Sequence, residues 1–165
     1  MTASAPAVAA RRYWLLKTEP GCFSYDDLLA APRQTSHWSG VRNYQARNFM
    51  RDDMKKGDGV LLYYSNATPC GIVGAAEVVR EGYPDFTAWD AEDEHFDPKS
   101  TVSNPVWYMV DVCAGERFDN FLALGDLRHV RELEAMELLR RGSRLSVQRV
   151  TDREWKAICK MGKGC

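Results

Sequence analysis

Trp38 opens a segment whose residue types favour recognition of a planar ring. Ser39 and Gly40 follow it, and Asn43 comes shortly before apolar and basic residues at helical spacing. An indole beside a helix entrance provides a flat apolar wall next to backbone amides with partial positive charge. Such a corner suits a planar ring that carries hydrogen-bond acceptors. The alternative is that Trp38 is an ordinary core residue, because Trp is usually well buried.

Lys17, Thr18 and Glu19 form a polar cluster at the end of the first predicted strand. Lys17 interrupts an otherwise apolar strand, and Pro20 turns the chain directly afterwards. This pattern predicts polar groups at the rim of a barrel. A solvated strand end is the alternative interpretation.

A second cluster ends the next predicted strand and consists of Tyr63, Tyr64, Ser65 and Asn66. Side chains alternate between the two faces of a strand, so the two tyrosines point in opposite directions. One face is expected to meet the pocket. The sequence does not decide which.

The sequence gives little support for catalysis or for a bound metal. It contains neither a recognised nucleophile–base motif nor a glycine-rich phosphate or dinucleotide loop. The five cysteines are scattered, and the three histidines lack the spacing of a metal site. We therefore predict a binding protein without metal, cofactor or enzymatic activity. With no secretory or membrane signal recognised, we expect it in the cytoplasm.

Charge is distributed unevenly along the chain. Seven acidic residues and no basic residue lie between Glu81 and Asp97, so this segment carries −7. The formal net charge is −1, which leaves +6 for the remainder. This asymmetry permits a basic face opposite an acidic loop, and hence a nucleic-acid partner.

Hydrophobic periodicity predicts a mixed fold. Strands are expected at residues 13–17, 60–65, 72–80, 106–113 and 145–150, and helices at 24–30, 41–54, 124–129, 132–140 and 151–159. Residues 81–98 are expected to form a long loop. The strands do not alternate with helices, which favours an α+β fold with a small, mostly antiparallel barrel. We predict one domain at residues 13–160, with tails at 1–12 and 161–165.

Six segments resemble the signatures of the EVE family, as found in bacterial EVE proteins and the thymocyte nuclear protein family. They are residues 14–20, 23–28, 38–48, 71–74, 97–100 and 142–148. The run from Gly40 to Asn48 is the most specific of them, and the similarity extends over residues 13–158. The resemblance implies a PUA-like open β-barrel with surrounding helices, related to the YTH readers of methylated adenine in RNA.

The same resemblance implies a pocket for a flipped-out modified base, such as 5-methylcytosine or 5-hydroxymethylcytosine in DNA. By position, Trp38 forms a wall of this pocket, with residues 17–19 and 63–66 around it. Family members usually have His where this chain has Tyr64, which predicts a pocket of altered polarity. The alternatives are an RNA-binding module for a modified ribonucleotide and an enzyme that acts on a nucleotide.

Four arginines are candidate phosphate contacts: Arg42, Arg47, Arg51 and Arg144. Such contacts position a strand and make affinity fall as salt rises. Each arginine is equally compatible with a solvated surface. We expect no membrane partner, and any effector must be a separate chain.

Overall fold

A computed structural model describes residues 10–163. The strands are β1 (Tyr13–Thr18), β2 (Thr35–Trp38), β3 (Gly59–Tyr64), β4 (Gly71–Pro84), β5 (Tyr108–Ala123) and β6 (Val147–Val150), and the helices are α1 (Tyr25–Ala30), α2 (Tyr44–Asn48), α3 (Leu124–Leu127) and α4 (Asp152–Lys163). One sheet contains the strands in the order β2-β5-β4-β3-β1-β6. The β1 and β3 strands run parallel, and the other neighbouring pairs are antiparallel. Since β2 and β6 are edges, the sheet stays open.

The apolar run of β1 reflects burial on both sides of the sheet. Trp14 and Leu16 belong to a core cluster that includes α1 and α2, whereas Leu15 belongs to a second cluster with α3 and α4. Burial of both faces explains why this strand lacks the usual alternation of apolar and polar residues. The indole of Trp14 donates to the buried carboxylate of Asp58 at 2.9 Å.

The long strands β4 and β5 exceed their predicted bounds. Their register shifts at several points, which bends the pair and curves the sheet into an open barrel. The β5 strand continues to Ala123 because Phe118 and Leu122 are buried although polar residues surround them. The acidic run had indicated a loop from residue 81, yet β4 pairs with β5 as far as Pro84. A 3₁₀ turn at Phe86–Trp89 follows, and turns occupy the rest of the segment.

Both predicted capping boxes are confirmed. Ser24 and Asp27 exchange backbone and side-chain hydrogen bonds at the start of α1. Thr151 and Glu154 do the same before α4. The α4 helix continues to Lys163, past the predicted domain end at residue 160. Of the predicted tails, residues 1–9 and 164–165 lie outside the described residues.

The predicted helix at 41–54 begins later than expected. Asn43 keeps an extended conformation, and its Oδ1 accepts from the backbone of Ala46 at 3.0 Å, so α2 starts at Tyr44. After α2 the chain widens into a π-helical turn at Phe49–Asp53. Val41 therefore joins the core from a loop.

One strand was not predicted, and one predicted helix was wrong. The strand β2 was missed, because three polar residues precede Trp38 and give no apolar pattern. The helix expected at 132–140 is two separate 3₁₀ turns, at Arg131–Leu133 and Glu137–Leu139. No helix within residues 10–163 has both the length and the apolar character needed to span a bilayer.

Candidate functional site

A cleft of about 680 Å³ opens where β1 and β2 end. This volume lies within the range of small-ligand sites. Three parts of the chain line it: the end of β1 with the turn that follows, the end of β2, and the loop at residues 85–97, which we call the acidic loop. The lining residues are Lys17, Thr18, Glu19, Cys22, Phe23, Ser36, His37, Trp38, Ser39, Glu94 and His95.

Trp38 is both a core residue and a wall of this cleft. Its position is fixed by pairing with Val110 across the β2–β5 ladder. The indole retains 8% exposure and meets the ring of Phe23 edge-on, with the ring centroids 5.8 Å apart. The two interpretations of Trp38 are thus compatible, since the buried indole borders an open cavity.

The turn after β1 presents a carboxylate to the cleft. The hydroxyl of Thr18 donates to the carbonyl of Phe23 at 2.8 Å, and the amides of Cys22 and Phe23 donate to the carbonyl of Glu19 at 2.9 and 3.0 Å. These bonds close the turn tightly. The side chain of Glu19 is left exposed at the rim, with the Cys22 thiol 3.8 Å from its Oε2.

Lys17 borders the cleft with its backbone more than with its ammonium group. Alternation along β1 places its side chain on the same face as Leu15, and its Nζ lies 5.7 Å from the centroid of the Tyr63 ring. Burial lowers the pKa of Lys17, and Glu137 partly opposes this effect. The Lys17 ammonium therefore belongs to the opposite side of the sheet.

Arg42 holds the acidic loop against the cleft through hydrogen bonds. Its Nη2 and Nε donate to the carbonyl of His95 at 2.6 and 3.1 Å. The His95 imidazole packs against Gly40, where an added Cβ would lie 2.8 Å from the ring. Gly40 has φ +86°, a conformation that favours glycine. These contacts place His95 and Glu94 opposite the strand ends.

Asp85 is the buried anchor of the same loop. Its Oδ2 accepts from the backbone of Gly40 at 2.8 Å and from Arg42 at 3.0 Å, and its Oδ1 accepts from the backbone of Thr87 at 2.9 Å. Burial raises the pKa of Asp85, but the hydrogen bonds from Thr87, Gly40 and Arg42 outweigh it and hold the pKa below its ordinary value. Asp85 therefore remains ionised and neutralises Arg42.

The structure gives Arg42 a role different from the predicted phosphate contact. Its guanidinium donates to acceptors within the protein, and its side chain is only 23% exposed. Arg47 donates to the carbonyl of Val106 at 2.8 Å and is half-buried. Arg51 pairs with the adjacent Asp52 at the surface, and Arg144 is exposed.

The second strand-end cluster does not line the cleft. Tyr63 is buried on the opposite face, and the Tyr64 hydroxyl accepts from the backbone of Tyr25 at 2.8 Å. The amide of Ser65 donates to the carbonyl of Thr18, and Asn66 adopts φ +49° in the following turn. The structure therefore does not bring these four residues into the lining of the Trp38 cleft.

Asn43 also lies outside the cleft lining, because its side chain caps α2.

The sequence did not predict six of the residues that line the cleft. They are Cys22, Phe23, Ser36, His37, Glu94 and His95. Ser36 and His37 lie on the unrecognised strand β2. Glu94 and His95 had counted only as members of an acidic run, and no sequence signal tied that run to Gly40. Within residues 10–163, no three His, Cys, Asp or Glu side chains cluster as metal ligands.

The cleft combines apolar rings with hydrogen-bond acceptors. Trp38 and Phe23 supply the apolar surface, and the exposed carboxylates of Glu19 and Glu94 stand at its edges. A planar ring that carries an amino group matches this combination, because a carboxylate accepts a hydrogen bond from such a group.

A second cleft of about 670 Å³ lies at another part of the surface, around Arg11, Lys56 and Asp58. Charged side chains of both signs line it, including Arg12, Asp52, Asp53, Lys55 and Glu81, and no aromatic ring does. The carboxylate of Asp58 is already occupied by hydrogen bonds from the protein, among them one from Trp14. We therefore place the candidate site at the Trp38 cleft.

Comparison with known proteins assigns the family. The EVE domain model matches residues 12–161. The chain belongs to the EVE domain family. Thymocyte nuclear protein 1 of Rattus norvegicus is 42% identical over 163 residues, which cover 88% of this chain and 71% of that protein.

Solved structures agree with the fold. A hypothetical protein from Leishmania major superposes with a TM-score of 0.87 at 49% identity, covering 93% of this chain and 96% of that one. The human THYN1 protein, solved in complex with DNA containing 5-methylcytosine, gives 0.83 at 36% identity, covering 93% and 99%. A YTH domain from Zygosaccharomyces rouxii in complex with N6-methyladenosine RNA gives 0.54 at 15% identity, covering 100% and 92%, and shares the fold. The predicted PUA-like open barrel is confirmed.

Proposed function

We propose that this EVE domain binds DNA that carries a modified cytosine, without enzymatic activity, and that the base enters the Trp38 cleft. The observation that carries the proposal is the cleft itself, in which a buried indole borders an open cavity rimmed by two carboxylates. The complex of the human THYN1 protein with 5-methylcytosine-containing DNA supports it.

Aromatic stacking alone at most offsets the free-energy cost of rotating a base out of the duplex. A base can be enclosed only after it has rotated out of the duplex, which costs a few kcal/mol of stacking and pairing. Stacking on protein aromatics returns about 1–3 kcal/mol, so Trp38 alone roughly balances the cost. Glu19 and Glu94 supply the remaining selectivity, because a carboxylate accepts from the exocyclic amine of cytosine. Thymine offers no such amine.

The added methyl group is expected to contribute modestly. Burial of one methyl group stabilises a complex by about 0.8 kcal/mol, or about fourfold in affinity. Greater discrimination requires that the duplex around the modified base opens more readily, or that the cleft excludes unmodified bases.

Titration of matched oligonucleotides tests the proposal. Strands containing cytosine, 5-methylcytosine or 5-hydroxymethylcytosine are compared by fluorescence anisotropy. Removing the stacking surface with Trp38→Ala is expected to weaken binding of the modified strand by about 5-fold to 150-fold. Equal affinity of the wild type for all three strands would refute the modified-cytosine assignment.

Two further variants control for loss of structure, because Trp38 also packs in the core. Trp155→Ala removes an indole that stacks on Tyr13 away from the cleft, and it is expected to leave affinity unchanged. Trp38→Phe keeps a ring and is expected to retain intermediate affinity. Thermal unfolding confirms that each variant is folded.

Two further experiments on the same protein test the alternative functions, RNA binding and catalysis. A matched RNA strand that binds more tightly than DNA assigns the cleft to a ribonucleotide, since the 2′-hydroxyl distinguishes the two. Turnover of any modified nucleoside would show an enzyme. The cytoplasmic location and a separate effector chain stay predictions, which cell fractionation and affinity purification test.

A further inference from the structure

An exposed aromatic side chain lies beside the cleft but outside it. Tyr44, the first residue of α2, has 61% of its surface exposed. Its ring stacks on Trp107, with centroids 5.0 Å apart and planes 26° from parallel. Trp107 is buried and donates through its indole to Asp97 at 2.7 Å. Tyr44 is therefore held in place although it faces solvent, which is the arrangement of a preformed stacking surface.

Arginine side chains lie close to Tyr44 and to Tyr108, the residue that follows Trp107. The guanidinium carbon of Arg47 lies 5.0 Å from the centroid of Tyr44, and that of Arg51 lies 5.9 Å from the centroid of Tyr108. Aromatic rings interleaved with arginines are the surface that binds single-stranded nucleic acid, where bases stack and phosphates meet cations. Asp52 partly neutralises Arg51. Arg47 donates through Nη1 to Val106 and through Nε to Asn48, both uncharged acceptors, so it keeps its positive charge beside the ring.

Contacts of Arg42 connect this surface with a residue of the cleft. The guanidinium carbon of Arg42 lies 5.4 Å from the centroid of Trp107, and the same guanidinium donates to the carbonyl of His95. His95 lines the cleft, whereas Trp107 supports Tyr44. One arginine thus separates the cleft from the exposed ring.

We propose that Tyr44 and Arg47 form a second subsite, which binds the nucleotide next to the modified base on the same DNA strand. The neighbouring base stacks on Tyr44, and its phosphate meets Arg47. The subsite rests on the proposed function, because the base in the cleft sets the register of the strand. It contributes affinity without sensing the modification.

A double-mutant cycle tests this subsite. Wild type and Tyr44→Ala are titrated with single strands containing one 5-methylcytosine, either intact or with an abasic position directly 5′ or 3′ to it. In the wild type, one of the two abasic strands is expected to bind about 5-fold to 150-fold more weakly than the intact strand. Tyr44→Ala is expected to show the same loss on the intact strand and no further loss on the abasic one.

Two variants serve as controls. Tyr44→Phe keeps the ring and is expected to bind like the wild type. Phe121→Ala removes another exposed ring, on β5, and is expected to leave binding unchanged. Additive losses from Tyr44→Ala and the abasic position, or an unaltered affinity in Tyr44→Ala, would overturn the subsite.

Repeating the titration with unmodified cytosine separates this proposal from the proposed function. A coupling between Tyr44 and the neighbouring base with equal affinity for cytosine and 5-methylcytosine supports the subsite and refutes the modified-base assignment. Preference for 5-methylcytosine without that coupling refutes the subsite alone.

Discussion

Gly40 combines a left-handed backbone conformation with direct contact to a wall of the cleft. Its φ of +86° strains any other residue, and an added Cβ would lie 2.8 Å from the His95 ring. Gly57 has a similar φ of +96° but open space around its α-carbon. Alanine substitutions at Gly40 and Gly57 therefore separate the effect of backbone strain from the effect of displacing His95.

We expect both Gly40→Ala and Gly57→Ala to lose about 1–2 kcal/mol of unfolding free energy, because both adopt the left-handed region. Gly40→Ala alone is expected to weaken binding of the modified strand, since the His95 ring must move. Urea denaturation and anisotropy titration measure the two effects. Equal affinities for the two variants would show that the His95 wall does not contribute to binding.

At the level of elements, the acidic loop depends on one buried ion pair. Asp85 holds Arg42 and the backbone of Gly40 at the same time. The pKa of Asp85 in the folded protein lies below its ordinary value, so its ionised form stabilises the fold. This stabilisation is complete above the unfolded pKa and is lost as pH falls through the folded one.

Asp85→Asn is accordingly expected to cost about 1.5–3 kcal/mol of unfolding free energy at neutral pH. The difference from the wild type is expected to narrow once pH falls below about 4, because the Asp85 carboxylate then begins to protonate in the unfolded chain while the folded protein still holds it ionised. Denaturation over a pH series measures this difference in unfolding free energy between the wild type and Asp85→Asn. Glu92→Gln, an exposed change in the same loop, is the control and is expected to change stability by less than about 0.5 kcal/mol. A pH-independent difference for Asp85→Asn would contradict the assignment.

The elements best predicted from sequence are those with local signals. The capping boxes at Ser24 and Thr151 fixed two helix starts, since the bonded groups lie three residues apart. The strand β2 carries no local signal, because its stability comes from pairing with β5 and from Trp38. For the same reason the cleft was only half predicted: Trp38 and Glu19 were found, but His95 reaches the site through long-range contacts to Gly40.

On the scale of the whole molecule, charge separates into an acidic loop and a more basic remainder. Arg144 is exposed near the end of β1, since the carbonyl of neighbouring Ser146 accepts from the Lys17 backbone at 3.0 Å. If a strand binds in the cleft as proposed, one that leaves in this direction meets a cation. The predicted phosphate contact of Arg144 is thus compatible with the geometry.

Arg144→Ala is expected to weaken binding of modified and unmodified strands by the same factor, because phosphate contacts carry no base information. The slope of log affinity against log salt is expected to become shallower by about 0.7 for a single strand and about 0.9 for a duplex. Arg153→Ala, an exposed arginine on α4, is the control with an unchanged slope. If Arg144→Ala leaves the slope unaltered, Arg144 does not contact phosphate.

The open sheet leaves two borders with unpaired backbone groups, and both are only four residues long. Few donors and acceptors are therefore available to recruit a strand from another molecule, and β6 also carries the exposed Arg149, which pairs with Asp53. Short edge strands, one of them with an exposed arginine, discourage intermolecular β-sheet growth. The protein can keep an incompletely closed barrel, with a mouth for a ligand, without becoming prone to aggregation along its rim.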